Sequence, residues 1–558
     1  MGYQPYLIAG FQTAKNISME PWLSPMDAFP TLENMFVNKG VLEKRGGFSS
    51  LGTMKHGASA QTTSVITGIH CYEKDGMPGL LVMDSKGSAG AYTGRCNFYN
   101  PIDGTMTDIS SDLTTPADIF SGSPSDFFHF RNWLGVGYMT NNVDQIHKWA
   151  GRGNAVVPHN IQVSSDTKTN HIDTCRFIFI IDDRMVLVDT VEFGDWYPNR
   201  LRYGAVLQTD FTESGGGTDD AETQERICAA GMIGKTAYAF FQGVEGGSLW
   251  RIRRTGNTDT PLEWERITKT EGSRSPYSGV EFKDGLAAVG MSNILYYDGF
   301  KVKTLDMPNV RDILSEFNDA YIRSVFGYRQ REKEHNHLLF TFADTSSSVV
   351  NRILDYNITE ENWTVHKSNQ TFFLNCIGGF NGQKVPTMAE LDDVVTADEA
   401  LVSAITVDSR AILGTPKPYT IIGCRNSKIY KWNNGEYDGT NDANGVIEIK
   451  AESSRMNPFV KEGRKAALEK IMFLVDHSTT ASFLASVYKD SRTATAYKTK
   501  TISCTSPDTG VDKFWVTLFC DGEVGNFHRL KISHSAKGNT PKIHAIMPYF
   551  EAAGRLDA

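Results

Sequence analysis

The feature that most restricts the fold is a recurring phrase: a strand, a turn, and a second strand that pairs Ile or Leu with an aromatic shortly before another turn. It reads as DQIHKWAGRG around Ile146, GGSLWRIRRTG around Leu249, SNILYYDGF around Leu295, NRILDYNITEENW around Leu354 and NSKIYKWNNGEYDG around Ile429. Between the first two lies RFIFIIDDRMVLVDTVEFGDWYPNRLRYG, with Asp182-Asp183 as its hairpin turn. One such unit cannot bury its own apolar face, so recurrence with insertions points to a radial repeat. Gly supplies 50 of 558 residues and aromatics 11%, as expected when many short strands meet many tight turns. The predicted class is all-β, a β-propeller of six or seven blades.

The texture divides the chain in three. Residues 1–58 carry Pro5, Pro21, Pro25 and Pro30, which interrupt every periodic run, and read as an extended N-terminal arm. Residues 59–444 hold the repeated phrase and form the propeller body, with insertions predicted at 213–222 and 384–418. Residues 445–558 change to longer alternating strands such as ALEKIMFLVD, DKFWVTLFC and FHRLKISHS, the pattern of a C-terminal β-sandwich or barrel. One amphipathic helix is predicted over 309–326, where Ile313, Leu314, Phe317, Tyr321, Ile322 and Val325 recur at three- and four-residue steps.

Composition excludes several functions. With 56 Lys plus Arg against 65 Asp plus Glu, the net charge of -9 argues against a protein whose main task is to grip nucleic acid, which needs a basic face. It does not forbid DNA passing nearby. No run approaches the roughly 18 apolar residues of a membrane span, and the N-terminus lacks the pattern of a signal peptide. The eight cysteines form no CxxC pair and no Cys/His cluster, which argues against zinc and for reduced, buried thiols made in a cytoplasm.

Chemical motifs are few. His335 and His337 fall on one face of a strand and can form half of a metal site, but no third ligand is indicated, and polar residues at a turn are the simpler reading. The doublets Asp182-Asp183, Asp219-Asp220, Glu360-Glu361 and Asp392-Asp393 suit turn punctuation better than a glycosidase pair. Arg251, Arg253 and Arg254 suit a solvated strand better than a phosphate contact. Trp149, Trp250, Trp264, Trp363, Trp432 and Trp515 suit packing between blades better than sugar binding. The acidic stretch with Glu390, Asp392, Asp393, Asp398 and Glu399 reads as a solvated insertion, or more sharply as a docking loop for a basic partner. No catalytic, cofactor-binding or metal-binding residue is assigned.

The segment from DILSEFNDAYIRSVFGYRQREKEHNHLLFTF through RILDYNITEENWTVHKS resembles a signature of the packaged-DNA stabilisation proteins, or tail hub and nozzle proteins, of short-tailed bacteriophages. The matching elements are Tyr328, His337, Leu338 to Phe342, Leu354-Asp355-Tyr356, and Trp363 with His366. NMFVNKGVLEKRGGFSSLG resembles the family's passage from arm to first blade, and GNFHRLKISHSAKGNTPKIHAIMPYFEAAGR its closing strands. The chain departs from the pattern at Leu338-Leu339, where the family often has an aromatic, and in its acidic insertion.

The resemblance implies a non-enzymatic virion protein without cofactors, assembled in the bacterial host cytoplasm and placed in the tail. It implies a homo-oligomeric ring, expected to be a hexamer, below the portal and its adaptor. The ring would retain packaged double-stranded DNA and channel it during ejection, with tail spikes or fibres and a needle or plug as further partners. Structural roles fall on Arg45, Gly46 and Gly47 leading into the first blade, on the helix face Ile313, Phe317 and Tyr321, and on Trp363 with His366. Two alternatives from other classes are a host-receptor or glycan-binding tail protein and a propeller enzyme that degrades polysaccharide.

Overall fold

The computed structural model describes residues 2–556 apart from 75–76, 89, 102–103, 164–170, 210, 212–214, 283–284, 312, 333–334, 368–373, 382–417, 440–444, 491–494, 507–509 and 536–540. Among the described residues, seven antiparallel blades of four main strands each follow one another around a ring, blade 1 with the short strand Ala91–Thr93 added. Blade 1 is Val65–Lys74, Met77–Ser88, Cys96–Asn100 and Thr105–Asp108. Blade 2 is His129–Trp133, Val136–Thr140, His147–Trp149 and Val157–Pro158. Blade 3 is Ile172–Ile181, Arg184–Glu192, Asp195–Tyr203 and Gly217–Asp220. Blade 4 is Arg226–Ile233, Thr236–Gln242, Leu249–Arg254 and Leu262–Thr268. Blade 5 is Val280–Phe282, Gly285–Val289, Ile294–Tyr297 and Val302–Thr304. Blade 6 is Phe326–Arg331, Asn336–Phe342, Arg352–Asn357 and Asn362–Lys367.

Blade 7 closes the ring with strands from both ends of the propeller sequence: Leu374–Phe380, Tyr419–Cys424, Lys428–Lys431 and, outermost, Ser49–Thr53. The first strand of each blade lies nearest the axis, and the first strands of blades 7 and 1 pack together to complete the circle. The propeller is therefore seven-bladed. Five of the repeated phrases mark the third strand of a blade, in blades 2, 4, 5, 6 and 7. Asp182 and Asp183, at φ of 49° and 55°, make the two-residue turn between Ile181 and Arg184 that hairpins favour.

Aromatic residues seal blade against blade. Trp149 of blade 2 packs 4.6 Å from Tyr72 and 5.3 Å from Phe98 of blade 1. Trp250, Trp264, Trp363 and Trp432 are also buried, whereas Trp515 is 39% exposed on the outer face of the C-terminal module. Seven of the eight cysteines are buried and none is bridged.

The C-terminal module is a two-sheet sandwich. One sheet runs Lys513–Gly525, Arg464–Asp476, Lys542–Arg555, Val41–Lys44, Met35–Asn38, with Gln4–Pro5 and Ile8–Ala9 added along Lys542–Arg555. The other runs Thr31–Glu33, Ile449–Glu452, His528–His534, Ser482–Lys489, Lys498–Ser503, and it continues directly from the outer strand of blade 6. Phe11, Phe29, Leu32, Phe473, Phe483, Leu530, Ile546 and Phe550 fill the space between.

Three expectations are corrected. Residues 1–58 do not lie as an arm on the body: their apolar positions Ile8, Phe11, Leu32, Met35, Val37 and Leu42 are buried in the sandwich, Pro5 ends a short added strand, and Pro21, Pro25 and Pro30 sit between strands. The sandwich is thus made from both ends of the chain. Within the expected insertion 213–222, Gly217–Asp220 is the fourth strand of blade 3.

The expected helix over 309–326 is two 3-10 turns, Ile313–Glu316 and Asp319–Ser324. The Asn318 amide donates to the Ala343 carbonyl of blade 6 at 2.9 Å, and its side chain caps the second turn, so the α-helical ladder cannot run through it. Ile313 and Phe317 are still buried, Phe317 stacked on Phe342 at 4.0 Å, but Tyr321 is 38% exposed.

Because Ser49–Thr53 completes blade 7 and residues 31–44 complete both sandwich sheets, a chain beginning at residue 55 should lose closure of both domains. Limited proteolysis should find the intact protein resistant and the truncated one degraded throughout. Equal resistance would contradict this topology.

Candidate functional site

Of the residues singled out by sequence, Arg45, Gly46, Gly47 and His366 come together where the propeller meets the sandwich. Val41–Lys44 is a sandwich strand and Ser49–Thr53 a propeller strand, so Arg45-Gly46-Gly47 is the crossing between them. Arg45 is 1% exposed and uses all five of its guanidinium N–H donors. Two go to Asp438 Oδ1 and Oδ2, both at 2.7 Å. The others go to Asn34 Oδ1 at 2.9 Å, the Gly46 carbonyl at 2.9 Å and the Lys367 carbonyl at 3.0 Å. The guanidinium also lies 4.9 Å from the Phe48 ring centroid and 5.4 Å from that of Trp432, within cation–π range. One side chain therefore fastens the N-terminal segment, blade 6 and the chain that leaves blade 7.

The two glycines are required by close approach. Gly47 donates to the Gly435 carbonyl at 2.9 Å, and a Cβ there would lie 2.0 Å from the Tyr437 carbonyl oxygen. At Gly46 a Cβ would lie 2.7 Å from the Asn433 carbonyl carbon. Neither position has room for a side chain without moving backbone.

Beside Arg45, the face of blade 6 turned away from blade 5 carries a second buried network. His337 Nδ1 lies 2.7 Å from Asp355 Oδ1, and His366 Nε2 lies 2.8 Å from Asp355 Oδ2. Burial alone would raise the Asp355 pKa, but the two imidazoles more than offset it and hold the carboxyl below its ordinary range. Burial lowers the His366 pKa; Asp355 opposes this, while Arg45 and His337 add to it. His366 also packs 5.4 Å from Trp432. Trp363 faces the other way, 4.7 Å from Tyr356, with its indole N–H on the Leu305 carbonyl at 3.3 Å. Trp363 and His366 thus act on opposite faces of one strand.

Asn34 and Asp438 were not singled out by sequence. Asn34, at φ 57°, accepts from Arg45 and from the Lys367 amide at 2.8 Å, and donates to the Glu448 carbonyl at 2.7 Å. The signal was an Asn between two short apolar runs. Asp438, fully buried, sits in the EYDG phrase and reads as an ordinary turn residue.

The remaining candidates are dispersed. His335 meets the Asn433 side chain at 3.1 Å, and the described residues contain no group of three or more His, Cys, Asp and Glu side chains fit to hold a metal. Asp220 is held bidentately by Arg200, Asp219 accepts the Trp264 amide at 2.5 Å, and Glu360 accepts the Lys39 amide at 3.0 Å, so these acidic doublets are tied to separate parts of the fold. Arg251 and Arg253 pair with Glu265 and Glu263, and Arg254 with Asp182, which neutralises the basic strand. Glu390, Asp392, Asp393, Asp398 and Glu399 lie outside the described residues.

The propeller axis is closed. Phe127 packs 5.3 Å from Tyr277 and 5.1 Å from Phe326, and Phe177 lies 6.3 Å from Tyr277. Phe127 is wholly buried and Tyr277 is 9% exposed. B-DNA, whose major groove alone is about 12 Å wide, cannot pass through the middle of one copy.

No family model and no curated protein sequence matches the chain. Among solved structures it is similar to a glycoside hydrolase, at 9% identity over 88% of this chain and 99% of that one, with a TM-score of 0.25. It is also similar to YCF48 bound to D1 peptide, at 10% identity over 62% and 94%, TM-score 0.30. A third is the β-propeller domain of the trilobed protease from Pyrococcus furiosus, at 8% identity over 56% and 88%, TM-score 0.29. Likenesses this distant carry no functional argument.

Breaking a buried, fully hydrogen-bonded ion pair costs about 3–5 kcal/mol. Arg45→Ala should therefore lower stability to urea by that order. Arg45→Lys should also fall well short, because an ammonium has three donors and no fork. Wild-type stability for Arg45→Lys would overturn the assignment.

A second expectation concerns pH. Burial lowers the pKa of His147, His366 and His528, so the unfolded chain takes up protons that the folded sites refuse. Their contribution is complete above the unfolded value of roughly 6.5 and is lost as pH falls below it. The urea midpoint should be lower near pH 5 than near pH 7.5; an unchanged midpoint would contradict this.

Proposed function

We propose that the chain is a structural virion protein, the hub or nozzle of a short phage tail. Copies would form a closed ring, a hexamer by the family resemblance, below the portal and its adaptor. The ring would retain packaged DNA and guide it on ejection. The observation that carries this reading is how the residues of the resemblance are used. Arg45, Gly46 and Gly47 make the crossing that binds two domains into one body, His337, Asp355 and His366 brace blade 6 beside it, and Trp363 fixes blade 6 to the Leu305 carbonyl beyond blade 5. A part that must hold against packaged DNA needs such rigidity, and a propeller leaves only short, protected strand edges.

The closed axis adds a requirement. DNA would run along a lumen between copies, not through any one of them. Net acidity suits that wall, since like charge keeps a polyanion moving where a basic surface would hold it. Closure of the ring requires a heterologous contact that returns on itself.

A non-catalytic adhesin is the second reading, favoured by the exposed Trp196 and Trp515, at 51% and 39% exposure. Quantitative peptide mass spectrometry with particle imaging distinguishes the two. The nozzle reading expects six copies in one axial ring at the distal tail. Multiples of three on radial appendages would support the adhesin, and absence from particles would remove both.

A further inference from the structure

On one side of the aromatic plug the axis opens into a cavity of about 330 Å³, within the range of roughly 300–1,000 Å³ usual for small-ligand sites. Blades 2 to 7 all contribute to it. Its wall carries three guanidinium groups, Arg131, Arg329 and Arg331, against the single carboxylate of Glu281. In a chain of net charge -9 this is a local reversal of sign.

The arginines are unequally engaged. Arg131 meets Glu281 at 3.5 Å and donates to the Ile178 carbonyl at 3.2 Å. Among the described residues, Arg329 has only long contacts, 3.4 and 3.5 Å, to Asn336 Oδ1. Among the described residues neither Arg329 nor Arg331 forms an ion pair with a carboxylate. Burial, and then the proximity of Arg331, lowers the Arg329 pKa below the ordinary arginine value. The two cations thus stand side by side under mutual repulsion, an arrangement that a bound anion relieves.

Two further features define the ligand. The inner end of the cavity is lined by the rings of Phe128, Phe177, Tyr277 and Phe326, an apolar surface for a flat or ring-shaped body. His129 also lines it, and its Nδ1 accepts the Ile178 amide at 3.2 Å, so the proton of the neutral ring resides on Nε2 as a donor.

We propose that this axial funnel binds a small organic anion, a carboxylate or phosphate carried on a ring of about monosaccharide size. The anionic group lies against Arg329 and Arg331, and the ring lies on the aromatic floor. The site is independent of the tail reading, since it lies within a single copy. Its ligand is far smaller than DNA.

The test is calorimetric titration of the full chain with glucuronate and with glucose 6-phosphate, alongside glucose and inorganic phosphate. At least one of the two organic anions should bind at roughly millimolar concentration or below, and which one binds separates a carboxylate ligand from a phosphate. Glucose should not bind, and inorganic phosphate should bind more weakly. The double variant Arg329→Gln with Arg331→Gln should lose about tenfold or more in affinity, as expected for charge-assisted hydrogen bonds, with an unchanged unfolding midpoint. Failure of both organic anions to bind would overturn the proposal. So would binding that the double variant leaves intact, or inorganic phosphate binding as tightly as the organic anions.

Discussion

Arg45 bears the same relation to this molecule that a keystone bears to an arch. A guanidinium removed from water must replace every lost hydrogen bond, or the burial costs several kcal/mol. Here the replacements come from the adjoining Gly46 and from three separate stretches, at Asn34, Lys367 and Asp438. None of those three can move without leaving a donor unpaired. Satisfying one side chain therefore fixes where the sandwich strands end, where the strand that closes blade 7 begins, and how blade 6 sits between them. Arg352 repeats the theme nearby, joining Glu33 at 3.2 Å to Asp344 at 2.8 Å. The Asn357 side chain donates to the Val37 carbonyl at 2.9 Å.

The division of labour between the two faces of blade 6 follows from strand geometry. Successive residues point to opposite sides, so Leu338, Phe340, Leu354 and Trp363 build the apolar contact with blade 5, while His337, Asp355 and His366 form the polar contact on the other side. Blade 6 consequently belongs to two structures at once. It is a propeller blade, and its outer strand is also the edge from which one sandwich sheet grows.

What sequence made legible was local. The alternation of apolar residues and the Asp182-Asp183 turn specify hairpins directly, and the repeated aromatic phrase marks the third strands. The sandwich strands after residue 445 are equally plain. What it hid was long-range. Nothing near Ser49–Thr53 says that its partner is Lys428–Lys431, because strand pairing is set by closure of the ring and not by neighbours in sequence. The segment 309–326 misled for a related reason. Its apolar spacing suits a helix, but Asn318 bonds to blade 6 and its own capping turn instead. Asp438 looked like any turn residue until Arg45, 393 positions away, was placed beside it. Arg329 and Arg331 share one strand of blade 6, but Arg131 comes from blade 2, and only the ring brings it beside them.

Residues 31–53 are a tie built into both domains. Hydrogen exchange of the backbone amides, followed by mass spectrometry of peptides covering this stretch, tests it most directly. Amides that pair within strands and exchange only when the surrounding unit opens are protected to the same degree as that unit. Peptides over Met35–Lys44 and Ser49–Thr53 should exchange as slowly as those over Arg464–Asp476 and Tyr419–Cys424. Exchange of the N-terminal peptides within seconds, with both domains still protected, would contradict it.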